Sequence, residues 1–346
     1  MKESSNHKSS LLAITLFGVL SVVFAEVFSG SAPLWFLDPW GIFVVLPLYW
    51  AHALLLLNFA VNYQRVSLSQ LYLWGVIFGL YESWMTKVIW AGYLGETPQF
   101  GTFLGFATGE FMVIGLFWHA VFSFIFPILF FQLLTLREAD SLGLLAGHEE
   151  YLTKTRRNRI ILILIILIGS FFMPVGMDLD LGAVLIIVGG NVTIISVLYL
   201  ISKRAGEVSL DSLLLGRRGL VITGLVLVIL YVFLGVTLVP ERFPGPLTIL
   251  LTVLFYLVVL GLLHVSPRQE TPITTKPERE TILDWSWAWK LLLLFSVASP
   301  LVCLMGDLSV LIGTLLYLGM LIVGPMLFLF AVYRTLRKGL SHSSEG

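Results

Sequence analysis

The chain has one cysteine, Cys303, which excludes an intrachain disulfide and any cysteine-built metal site. Charge is equally scarce. Asp, Glu, Lys and Arg make up 12% of the 346 residues, against roughly a quarter in a soluble domain. The 21 basic and 21 acidic residues balance, and neither sign forms a long run. A nucleic-acid partner is therefore not expected. No HExxH pair occurs, and the Gly/Ser-rich turn at 26–41 lacks the lysine of a phosphate loop. Neither a metal nor a cofactor is expected. Hydrophobic residues fill the space instead, at 58% of the chain and a mean hydropathy of +0.94. That composition belongs to an integral membrane protein.

A membrane-spanning helix needs about 20 mostly apolar residues. Ten segments qualify, at 11–28, 41–62, 69–92, 103–133, 160–176, 181–202, 218–239, 245–264, 289–306 and 308–333. The first resembles a signal peptide in outline, but Glu26 sits where cleavage requires small residues, so it reads as a retained helix. The fourth exceeds one straight span, and Pro127 is a candidate kink. With ten spans and an inside N-terminus, 19 of the 21 basic residues fall on the inside, leaving Arg242 outside and Lys87 within a span. The positive-inside rule then predicts both termini in the cytoplasm and a cell-membrane location. The expected fold is an all-α polytopic transmembrane bundle.

Three cytoplasmic loops stand out: 136–159, which is long enough for an interfacial helix, the amphipathic 203–218 with Leu210, Leu213 and Leu214 on one side, and the Pro/Thr-rich 265–285. Their basic residues suit anionic lipid headgroups. Composition also divides the chain into a four-helix region, 1–150, and a six-helix scaffold, 151–346. Seven of the ten tryptophans lie in the first region, Trp84 among them near mid-membrane. Gly101, Gly105 and Gly109 have the GxxxG spacing of close helix approach.

An ionisable side chain inside a span costs about 3 kcal/mol or more, so it faces protein or water. Glu26, His52, Glu82, Lys87, Glu110 and His119 all lie in the first four spans, whereas the other six have Asn191 as their main polar residue. At about 1.5 Å per residue, these six sort into an outer tier (Glu26, Lys87, Glu110) and a middle tier (His52, Glu82, His119). The picture is a polar vestibule open to the outside. Glu82 and Lys87 stand about 140° apart around a helix, so each needs a partner elsewhere; Glu110 or Glu26 is the expected partner of Lys87. Glu110 and His119, nine residues apart, face opposite ways on an α-helix, whereas His119 and Ser123 share a face. Each residue also has a plainer role: Glu26 reaching interfacial water, Lys87 snorkelling to headgroups, the histidines packing between helices.

The order Glu26–Ser29–Gly30–Pro33, then Tyr81–Glu82, then His119, Ser123 and Pro127 resembles an uncharacterised prokaryotic group of multi-pass membrane proteins over about residues 20–130. That resemblance implies no activity. A fainter similarity is to glutamic intramembrane proteases of the prenyl-protein-processing type. Those pair two adjacent glutamates with an arginine, whereas here Tyr81 and Ser83 flank Glu82.

Three functions remain open. The leading one is transport of a small polar or ionic solute, proton-coupled, with Glu82 as the proton or cation site and the histidines as relays. The alternative is a membrane-embedded Glu/His hydrolase acting on a lipid or peptide. The third is an accessory subunit docking a partner's helices. Oligomeric state is not legible.

Overall fold

The computed structural model describes residues 2–135, 143–206, 208–275 and 282–343. Arg137, Lys276 and Arg279, counted above among the cytoplasmic basic residues, lie outside them, as do the side chains of Lys2, Lys8 and Lys338. Among the described residues, nine helices are long and apolar enough to cross a membrane. They match nine of the ten expected segments, and the tenth, 69–92, differs. The all-α polytopic bundle holds.

Two compact units divide the chain, and the division does not follow the expected boundary at residue 150. The first takes Met1–Leu54, Phe126–Arg217 and Ile273–Leu316; the second takes Leu55–Ile125, Arg218–Pro272 and Tyr317–Gly346.

In the first unit, α1 (Lys2–Val22) runs into a single π turn, Val23–Val27. Phe24 meets Phe28, Phe126 and Phe130 edge-on at 5.1, 4.5 and 5.0 Å, and Phe28 stacks on Phe295 at 4.9 Å. Asn191 holds the 26–41 turn: its Oδ1 accepts from the Trp35 indole at 2.9 Å and its Nδ2 donates to the Pro33 carbonyl at 3.2 Å. Its burial also removes the Asn-Val-Thr pattern from any surface role. Of the 136–159 and 265–285 loops, the described residues 143–145 and 273–275 form a strand pair. β3 (Gly143–Leu145) pairs antiparallel with β4 (Ile273–Thr275), and Gln132 Oε1 accepts from Leu145 N at 2.9 Å. In the 203–218 loop Leu210 and Leu213 are buried in a short 3-10 turn, whereas Leu214 points to the surface.

In the second unit the segment expected as one helix at 69–92 is broken. α3 (Leu68–Gly79) ends partway through the expected span and is followed by two single turns, α4 (Tyr81–Trp84) and α5 (Val88–Ala91). Thr86 makes the break: its hydroxyl donates to the Glu82 carbonyl at 2.9 Å and accepts from Val88 N at 3.3 Å, replacing helical partners with a side chain. Lys87 then adopts a left-handed φ of 60°, a conformation that is costly for a residue with a Cβ.

Hydrocarbon contains no water to satisfy the carbonyls that such a break frees. Two cations supply them. The fully buried Lys87 ammonium donates to Leu234, Gly235 and Leu238 carbonyls at 3.2, 2.9 and 2.5 Å, closing the C-terminal end of α10 (Arg217–Thr237). Arg242, just beyond α10, donates back to the Ala91, Gly92 and Tyr93 carbonyls at 2.5, 2.7 and 3.1 Å. Arg65 does the same for α11 (Pro246–Val265), donating to Leu263 and His264 carbonyls at 2.8 and 3.1 Å. These are helix C-terminal caps in which cations also meet the negative end of the helix dipole.

The GxxxG spacing at 101–109 does not lie along one helix, although a Cβ at Gly105 would strike the Thr248 hydroxyl on the helix Pro246–Val265. Gly101 and Gly105 have φ of 72° and 81° and shape a hairpin, β1 (Thr102–Phe103) with β2 (Phe106–Ala107). Leu104 and Gly105 form its two-residue turn, both at positive φ. The close approach of helix to helix lies elsewhere. A Cβ at Gly75 would fall 2.7 Å from Ala120 Cα, and one at Gly79 would fall 2.9 Å from the Gly115 carbonyl oxygen. α3 thus lies against α6 (Thr108–Thr135), whose Phe111–Ile125 stretch is π-helical. Opposite such seams the helices carry apolar side chains outward. On α10 Val221, Ile222, Leu225, Val228, Ile229 and Val232 are all more than half exposed, a surface suited to lipid rather than water.

Replacing Lys87 with Met leaves buried carbonyls without donors, at about 1–3 kcal/mol each. The Lys87→Met protein should therefore unfold in detergent well below wild type, and Lys87→Arg should recover most of the loss; equal melting of Lys87→Met and wild type would refute the capping role. Gly75→Leu should cost more than about 3 kcal/mol through overpacking, seen as loss of monodisperse protein by size exclusion, whereas Gly224→Ala, where nothing lies within 4 Å, should cost far less.

Candidate functional site

The break in the third segment places Glu82 on α4, where the short turn follows α3 directly. Its carboxylate lies against α6 because Gly75 and Gly79 bring the two backbones together. There His119 Nε2 sits 3.0 Å from Glu82 Oε1, and His119 Nδ1 sits 2.7 Å from Ser123 Oγ. The second contact is the pairing that the four-residue spacing predicts. Glu82 Oε2 accepts from the Thr86 hydroxyl, and the Tyr81 hydroxyl also bonds to this carboxyl. Phe78 stacks on the imidazole at 5.8 Å and Tyr81 meets it edge-on at 5.1 Å, fixing the ring plane. Glu82, His119 and Ser123 are all buried. The result is a linear chain of carboxylate, imidazole and hydroxyl.

In chemical terms such a chain stores and moves one proton. With Glu82 ionised and His119 protonated it is an ion pair; with one proton fewer the Nε2–H tautomer donates to Glu82 while Nδ1 accepts from Ser123, and the Nδ1–H tautomer donates to Ser123 instead.

Glu110 stands at the first turn of α6, fully buried, with Oε1 accepting from Gln99 N at 3.0 Å and Oε2 without a partner among the described residues. The π stretch alters its relation to His119. Hydrogen bonds from i to i+5 widen each turn, so residues nine apart swing back from the opposite faces expected on an α-helix. Lys87, expected to pair with Glu110 or Glu26, takes the carbonyl cap instead, with Phe243 under its ammonium at 5.0 Å.

Glu26 and His52 belong to the first unit. Glu26 Oε1 accepts from the Tyr49 hydroxyl and Oε2 from Ser31, with Ser29 Oγ 2.6 Å from Ser31 Oγ. His52 Nδ1 lies 2.8 Å from the Leu48 carbonyl one turn back. The described residues thus place Glu82 with His119, while Glu26 and His52 each sit among neighbours of the first unit.

The sequence reading missed Thr86 and the Gly75/Gly79 pair. Thr86 was visible as a β-branched hydroxyl four residues after Glu82, a spacing that allows back-bonding to the i−4 carbonyl. Gly75 and Gly79 had the same GxxxG spacing as 101–109 and were the pair inside an apolar helix. Among the described residues, no three His, Cys, Asp or Glu side chains gather closely enough to hold a metal.

No solved structure matches this chain. An uncharacterized protein of Archaeoglobus fulgidus is 32% identical over 253 residues, covering 70% of this chain and 76% of that protein. The model of an uncharacterized membrane protein family matches residues 15–338. A match of that extent, on a chain whose helices are apolar on their outward faces and whose buried acids and bases are few and individually partnered, makes this chain a member of that uncharacterized membrane protein family.

Proposed function

We propose that the protein carries a small polar or ionic solute across the membrane and couples its passage to a proton held by Glu82 and His119. One observation carries the reading: the third apolar segment is interrupted partway along its length, and a buried carboxylate–imidazole pair stands at the interruption. Discontinuous membrane helices are where transporters place solute and coupling-ion sites, because the broken ends present polar backbone at depth. A solute that competes for Glu82 would displace its proton onto His119, the imidazole bonded to it.

A second reading has its own support. Ser123, His119 and Glu82 are connected in the order of a hydrolytic triad, with the imidazole between hydroxyl and carboxylate. In this reading Ser123 attacks a lipid or peptide carbonyl and His119 accepts its proton. The complete burial of Ser123 among Phe122, Phe124 and its own helix favours transport.

For orientation we propose cytoplasmic termini, with the basic loops against anionic headgroups in the cell membrane. Exposed Asp211 and Glu241 then lie on opposite sides.

The two chemical readings separate on Ser123. In proteoliposomes loaded with a pH-sensitive dye and challenged with a panel of amino acids, sugars and inorganic ions, transport predicts that Glu82→Gln lowers solute-driven proton movement by at least ~10²-fold. Ser123→Ala should stay within about tenfold of wild type, because the hydroxyl only orients the ring. A hydrolase predicts a loss of at least ~10³-fold for Ser123→Ala and covalent capture of Ser123 by a fluorophosphonate probe. Labelling at Ser123 would overturn transport as the leading reading. In a Cys303→Ser background, a membrane-impermeant maleimide added to intact cells should modify Glu241→Cys and spare Asp211→Cys; the reverse pattern would invert the topology.

A further inference from the structure

Between Glu96 and Glu110 the sequence carries no charge, and its largest residues are Phe100, Phe103, Leu104 and Phe106. This stretch contains the β1–β2 hairpin, in which Thr102 pairs with Ala107 and Phe103 with Phe106. Three of the four apolar side chains are not folded inward. Phe100, Phe103 and Leu104 are 65, 69 and 54% exposed, and Leu94 just before them is 61% exposed.

The backbone makes this exposure more telling. Leu104 and Gly105 have φ of 52° and 81°, the pattern of a two-residue hairpin turn that favours Asn-Gly. Leucine at the first of these positions takes a left-handed conformation that its Cβ resists. Phe100 does the same at a φ of 64°. Two residues thus accept backbone strain and also present an apolar side chain outward. Asparagine at 104 would relieve both costs if the turn stood in water. A surrounding that takes up apolar side chains offsets them instead.

The hairpin's height on the molecule is set by α11. Gly105 is seated against Thr248, where a Cβ would strike the hydroxyl, and Thr248 is the third residue of that helix. The 20 residues of α11 measure about 30 Å, the thickness of the hydrocarbon core. Its first turn therefore stands at the boundary between hydrocarbon and headgroups, and the hairpin tip stands beside it. Leu247 and Leu250 of α11 are 62 and 54% exposed and continue the apolar surface toward the lipid-facing side of the helix. Behind the tip, Phe106 meets Phe111 at 5.1 Å, Phe111 meets Phe255 at 5.3 Å, and Phe255 meets Phe328 at 5.4 Å. The base is closed by Thr108 N on the Gly101 carbonyl at 3.0 Å and Gly109 N on the Gln99 carbonyl at 3.1 Å. The tip is held in place from both sides.

We propose that the β1–β2 hairpin is an interfacial membrane anchor, with Phe100, Phe103 and Leu104 seated in the lipid leaflet nearest the first turn of α11. At the headgroup–acyl boundary the unpaired strand edges still meet water and headgroups, which the hydrocarbon core would deny them. Because Gln99 at the hairpin's base donates its N–H to Glu110 Oε1 at 3.0 Å, the anchor also steadies that buried acid. The anchor does not depend on the transport reading.

The test places nitroxide labels singly at Phe103→Cys, Leu104→Cys and Glu96→Cys, in a Cys303→Ser background reconstituted into phosphatidylcholine–phosphatidylglycerol vesicles. Collisions with oxygen report lipid, and collisions with a water-soluble nickel chelate report water. The oxygen-to-nickel collision ratio at 103 and 104 should exceed that at exposed Glu96 by at least about threefold. Ratios equal to that at 96 would place the hairpin in water and overturn the proposal. Few collisions with either reagent would overturn it as well, since protein then covers the tip; dipolar broadening between labels would identify that cover as a second copy of this chain.

Discussion

The structure depends first on the need to satisfy backbone carbonyls where there is no water. An unbroken helix does this by itself; the third segment does not, because Thr86 diverts the Glu82 carbonyl and the chain turns left-handed at Lys87. The freed groups are met by an exchange in which Lys87 closes the end of α10 and Arg242, carried just beyond α10, closes the end of α5. Each cation completes the other's helix. The break is thereby held at a fixed depth, and with it Glu82.

Close backbone approach is the second condition. α3 has glycine at 75 and 79, where it meets Ala120 and Gly115, so its end can lie directly on α6. Larger side chains there would move the Glu82 turn away from His119, and a hydrogen bond of 3.0 Å tolerates little displacement. Van der Waals packing of small residues, the usual basis of helix association in membranes, is thus what sets the geometry of the polar chain.

Much of the fold was legible in the sequence because a membrane span is a one-dimensional signal: length and apolarity suffice, and nine segments emerged at nearly their predicted bounds. The break at 80–87 was not legible as a break, since Glu82 and Lys87 were read as costs inside a continuous helix rather than as signs that the helix stops. GxxxG spacing was likewise found at 101–109 and overlooked at 75–79, because spacing alone does not distinguish a hairpin from a helix. For the site, Glu82 and His119 were named and lie together. Lys87 was named for its charge, but its partners are carbonyls, which carry no sequence identity.

The partition of charges among partners has a chemical consequence. Lys87, Arg242 and Arg65 all bind carbonyls, whose dipoles do not titrate, so these side chains hold fixed positions. Glu82, Glu110 and Glu26 bind imidazole, amide and hydroxyl groups instead. Had Lys87 paired with Glu82, a buried ion pair would have pinned the carboxylate in its charged form, since releasing either partner leaves an uncompensated charge. By giving the cations to the backbone, the fold leaves the carboxylates beside neutral groups that share a proton rather than fix one. A buried acid in such surroundings changes its protonation state at modest cost, and that property is common to proton-coupled carriage and to acid–base catalysis alike. What separates them is whether Ser123 ever leaves His119 to attack a carbonyl, and the packing of Ser123 within α6 argues that it stays.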